Sequence, residues 1–74
     1  MQDWRALAKF EHGTEALVVL GISQFQINET YKDAFLDIIH PDIQSECKSI
    51  VVQKWSGRPK KGRWIDIGTL NVPN

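Results

Sequence analysis

Between residues 55 and 64 the chain reads Trp-Ser-Gly-Arg-Pro-Lys-Lys-Gly-Arg-Trp. Four cations, Arg58, Lys60, Lys61 and Arg63, lie within six residues bounded by Trp55 and Trp64. Cations at this density can neutralise successive phosphates and release their counterions, and an indole at either end offers a face on which an unpaired base stacks. A plainer reading competes with this one. Gly57, Pro59 and Gly62 are turn formers, cations on an exposed tip keep it soluble, and two tryptophans facing each other across a ladder stabilise a hairpin by about 0.5–1 kcal/mol.

The core of this stretch, Gly57-Arg58-Pro59-Lys60-Lys61, resembles that of an AT-hook. That resemblance implies arginine contacts in the minor groove of A·T-rich DNA, with the proline holding the chain extended. It covers five of the 74 residues, and Ser56 stands where the motif carries its first arginine, so the two-arginine grip is missing.

Other reactive side chains form weaker patterns. Cys47 has Glu46 beside it and His40 upstream, the ingredients of an activated thiol, but no local signature of a cysteine nucleophile surrounds them. A small, half-buried thiol at the start of a strand is the simpler reading. His40, Asp42, Glu46 and Cys47 match no common metal-ligand spacing, and His40 reads as a last-turn residue favoured by a helix dipole. His12, in a turn, carries no signal alone. Glu29, Asp33 and Asp37 recur one helical turn apart as an acidic ridge, a hydrated face that could also meet a basic partner. Phosphate-binding glycine loops, His-x-x-x-His pairs and hydrolase elbows do not occur, so no catalytic residue, metal or cofactor is expected.

The elements that must position these groups belong to a short chain. Seventy-four residues, 42% of them apolar, make one domain spanning 1–74, and a domain of this size buries a modest core. With Cys47 the lone cysteine, no intrachain disulfide can reinforce it, which leaves association with a second copy as the expected supplement. The net charge of zero conceals an asymmetry. Residues 1–47 carry eight acids against three bases, and residues 48–74 carry six bases against one acid, giving −5 and +5. No run reaches the roughly eighteen apolar residues of a membrane span and no secretory leader pattern opens the chain, so a cytoplasmic protein without membrane contact is expected.

Period-two alternation over residues 4–10 places Trp4, Ala6, Ala8 and Phe10 on one side and Arg5 and Lys9 on the other, predicting a strand. A short helix from Asp3 to Gly13 is the rival. Glu11-His12-Gly13-Thr14 reads as a type I turn followed by a left-handed glycine. Residues 15–20 are an apolar run that predicts a strand covered on both faces. Ser23 and Gln26 have capping-box spacing ahead of a stripe formed by Ile27, Tyr31, Ala34, Phe35 and Ile38, predicting an amphipathic helix that ends before Pro41. Residues 41–46 read as a connection with room for one helical turn. Residues 49–55 and 63–70 are rich in β-branched and aromatic side chains and predict two further strands joined by a turn over 56–62.

The expected fold is therefore α+β, a four-stranded antiparallel sheet of order β-β-α-β-β along the chain with one amphipathic helix on one face. One helix covers one face, so the second is expected in an oligomer interface, with Leu17 and Val19 from the sheet and Asp33 and Asp37 from the helix as its candidates. The function these features favour first is a non-enzymatic interaction module that self-associates and binds a macromolecule. The alternatives are nucleic-acid binding through Trp55, Arg58, Lys60, Lys61, Arg63 and Trp64, and a ligand or catalytic site between subunits around His40, Glu46 and Cys47.

Overall fold

A computed structural model describes residues 2–73. The alternating segment forms β1 (Trp4–Lys9), which pairs antiparallel with β2 (Glu15–Gly21) on one side and β3 (Ser49–Arg58) on the other; β3 then pairs with β4 (Lys61–Leu70). The sheet order is β2-β1-β3-β4, and the fold is the expected α+β arrangement of four antiparallel strands with one main helix.

The first hairpin differs from its expected turn. His12 (φ 61°, ψ 24°) and Gly13 (φ 78°) both adopt left-handed angles, and the Thr14 N–H donates to the Glu11 carbonyl at 3.3 Å. Two left-handed central residues make a type I′ turn, whose twist matches that of the flanking strands, whereas a type I turn would splay them.

The apolar run is an edge strand rather than one buried on both faces. Ala6 pairs with Val19 and Leu7 with Leu17, so Val18 is an extra residue in a β-bulge. The bulge lets both Val18 and Val19 pack on the core side, Val18 at 1% exposure, while Leu17 and Leu20 lie on the other face at 46% and 39%.

The helix α1 (Gln24–Ile38) begins as its capping signal predicts. The Gln26 N–H donates to Ser23 Oγ at 3.1 Å, but Gln26 Oε1 accepts from the Ile22 N–H at 2.8 Å, one residue before the cap. Gly21 permits this closure, because a methyl there would lie 2.8 Å from Gln26 Oε1 and 2.9 Å from Ile27 Cδ1. Ile27, Tyr31 and Phe35 are buried as the stripe predicts, whereas Ile38 is 58% exposed and Ile39 takes its place in the core. Pro41 causes the exchange: the chain leaves the helical path at Ile39 (φ −86°, ψ 124°) to reach it extended, which swings Ile39 inward. His40 is correspondingly not a last-turn residue. It caps the short α2 (Pro41–Gln44), its Nδ1 accepting from the Asp42 N–H at 3.1 Å.

α1 lies over β2 and β1. Ala6 and Ala8, both fully buried, allow it a close approach, and Val18, Ile27, Phe35, Ile50 and Val52 fill the interior. Each such side chain contributes about 1.5–3 kcal/mol by leaving water. The C-terminal segment closes the layer, with Leu70 and Val72 packed against the core and Tyr31 Oη donating to the Asn71 carbonyl at 3.0 Å.

Candidate nucleic-acid interface

β3 and β4 outrun the rest of the sheet. The Trp55 N–H donates to the Asp3 carbonyl at 2.8 Å, and beyond it the pairs Ser56–Arg63, Gly57–Gly62 and Arg58–Lys61 have no third strand beside them. The expected turn over 56–62 is therefore mostly strand, and the chain reverses within Pro59-Lys60. Proline fixes its own φ near −65°, which excludes the primed turns that suit hairpins. Gly57, at φ 113°, absorbs the mismatch in twist. A methyl on Gly57 would lie 2.6 Å from the Lys61 carbonyl oxygen, and one on Gly62 would collide with the Ser56 carbonyl and with the Trp55 ring.

The two indoles hold this ribbon. Trp55 and Trp64 are direct cross-strand partners with ring centroids 5.4 Å apart at 73°, an edge-to-face pair, and Trp55 Nε1 donates to the Arg58 carbonyl at 2.9 Å. The Arg5 guanidinium sits 4.1 Å from the centroid of Trp64 and covers one face of that ring. Arg5 is itself held: its Nε donates to Gln53 Oε1 at 2.7 Å, and Gln53 Nε2 donates to Asp66 Oδ1 at 2.7 Å. Partial burial lowers the Arg5 pKa, opposed by the Glu15 carboxylate, and a guanidinium stays charged throughout.

The cations of the body and of the tip are treated differently. Lys48 donates to Glu11 at 2.8 Å and holds that carboxyl below its usual value, Lys9 lies 3.6 Å from Glu15, and Lys54 stands over the Trp4 ring at 5.4 Å. Arg58, Lys60, Lys61 and Arg63 are exposed and, among the described residues, none pairs with a carboxylate. Outside the tip, among the described residues, Lys32 and Lys54 are likewise exposed without a carboxylate partner, and of these Lys54 stands over an aromatic ring. Along one face of the ribbon, from Gln2 and Asp3 at its base to Pro59 at its tip, Gln2, Asp3, Trp55, Pro59 and Trp64 line an open cleft of about 250 Å³.

The remaining candidates do not converge. Leu17 faces away from the helix while Val19 packs against the core beneath it, and Asp33 and Asp37 are exposed on α1, so these four do not share one surface. Cys47 is buried, with Sγ 3.4 Å from the Ser49 carbonyl, and burial pushes its thiol pKa up, the reverse of what activates a nucleophile. Among the described residues no group of three His, Cys, Asp or Glu side chains is placed to hold a metal.

Sequence reasoning placed the cations and the indole pair but missed Asp3, Arg5 and Gln53. The alternation of β1 does put Asp3 and Arg5 opposite Trp4 and Ala6; that this face meets β3 depends on strand order, which alternation does not specify. Compared with protein-family models, curated proteins and solved structures, the chain matches none.

Proposed function

We propose that this chain is a non-enzymatic binding module that takes nucleic acid on the β3–β4 ribbon. The observation that carries the reading is the four cations on a projecting hairpin, exposed and without carboxylate partners, in a chain whose other cations are mostly held by acids or aromatic rings. Such a tip can follow a phosphate backbone at little desolvation cost, and its affinity should fall steeply with salt. A fluorescence titration with single- and double-stranded DNA and RNA over a salt series tests it. Binding should weaken by a slope equivalent to a few released ions, and Arg58→Gln, Lys60→Gln, Lys61→Gln and Arg63→Gln together should abolish it. Absence of binding at low salt would overturn the reading.

A second reading, self-association, rests on a separate observation. On the sheet face that α1 does not cover, Leu17 and Leu20 lie exposed beside Leu7 and Val51. This apolar row supports a dimer through the open face, and such a dimer should persist at high salt in sedimentation. Contact between the Asp33–Asp37 ridge and a neighbour's basic tip should instead dissolve with salt. A strictly monomeric chain at high concentration would remove both.

A further inference from the structure

We propose that the cleft along the ribbon receives an unpaired guanine of a single-stranded nucleic acid, an assignment that rests on the nucleic-acid reading above. The cleft joins two kinds of wall. Trp55, Pro59 and Trp64 supply flat apolar surface; Asp3 and Gln2 supply polar groups. Arg5 covers one face of Trp64 and Gly62 lies against the Trp55 ring, so the stacking surface is what remains of the two indoles together with Pro59. The cleft is open to solvent, so a base can enter it from the surface.

Asp3 decides which heterocycle. It continues the alternation of β1 onto the face that carries Arg5 and the indole pair, and among the described residues its side chain makes no hydrogen bond and no ion pair, although four cations crown the same ribbon. An ionised carboxylate only accepts hydrogen bonds, and its two oxygens suit two parallel N–H donors. On its Watson–Crick edge guanine presents two adjacent donors, N1–H and the N2 amino group. Adenine and cytosine set one amino group beside a ring acceptor, and thymine and uracil set one N–H between two carbonyls. Guanine is therefore the base that offers the carboxylate two donors side by side. In a duplex that edge is consumed by pairing, so the guanine must be unpaired. A cationic ligand would share the liking for indoles and a carboxylate, but would have to sit below Arg58, Lys60, Lys61 and Arg63, whereas the phosphates flanking a bound base meet those cations favourably.

The test uses oligothymidines carrying one central guanine, adenine, cytosine or hypoxanthine, titrated against the chain at fixed salt with tryptophan fluorescence as the readout. The guanine strand should bind about tenfold more tightly than the others. Hypoxanthine, which lacks the N2 amino group, should lose most of that advantage with the protein unaltered. Asp3→Asn should remove the preference, bringing the guanine strand level with the adenine and cytosine strands. Equal affinity for all strands, with the salt dependence intact, would overturn the guanine assignment and leave the nucleic-acid reading standing; no binding to any strand would overturn both.

Discussion

At one end of the sheet α1 lies across β2 and β1, and Phe35, Ile27, Val18 and Ile50 are sealed between the layers. At the other end β3 and β4 continue as a two-stranded ribbon with no helix above it, held by two indoles, two glycines and the Arg5–Gln53–Asp66 chain. The first end is stabilised by burial, and its exposed charges are chiefly the acidic side chains along α1. The second buries little, and gathers the unpaired cations and the aromatic cleft. In this molecule the core residues and the tip cations proposed to bind a partner are separate sets, while Trp55 and Trp64 serve both the ribbon and the cleft, so the cations can be altered without the core.

Substitutions can break that separation or sharpen it. Phe35→Ala, at the centre of the covered end, should cost about 3–5 kcal/mol, since a fully buried ring is lost and a cavity remains. For a domain this small that is most of its stability, and urea denaturation followed by circular dichroism should show the helix signal collapsing. Gly57→Ala should cost less, about 1–3 kcal/mol, because it forces a side chain into a φ of 113° and against the Lys61 carbonyl. Its damage should be local. Tryptophan fluorescence and amide exchange should report an opened ribbon while exchange from α1 stays slow, and equal loss of protection at both ends would show that the two are one cooperative unit. Replacing Arg58, Lys60, Lys61 and Arg63 by glutamine should shift the denaturation midpoint least, within about 0.5 kcal/mol, because these side chains are exposed and unpaired. A large loss there would mean that the tip supports the fold after all.

The two ends were unequally legible in the sequence. The helix declared itself because Ser23, Gln26 and the Ile27–Tyr31–Phe35 stripe are local signals that tertiary packing reinforces. Its end before Pro41 was legible as well, but the residue that seals it was not, since Ile38 and Ile39 are both apolar and only the path to Pro41 decides which one turns inward. The strands were visible by composition and the indole pair by symmetry about the turn. The bulge at Val18 was not, because it is a property of the pairing between β1 and β2, and a continuous apolar run conceals which residue is extra. The cleft was legible only in part. Trp55, Pro59 and Trp64 are neighbours in sequence, whereas Asp3 and Arg5 join them through a strand pairing that brings together residues 48 positions apart, as Arg5 and Gln53 are.

That long-range pairing bears on how the molecule comes into being. β1 is an interior strand, yet one of its two edges is completed by residues 49–54, the far side of the helix in sequence. Until those residues have left the ribosome, the backbone of Trp4–Lys9 has one bare edge, the kind of surface on which nascent chains cross-pair. Every molecule of this protein therefore passes through an interval in which its central strand is open to a stranger, and the length of that interval is set by the time needed to synthesise α1, α2 and the first half of β3.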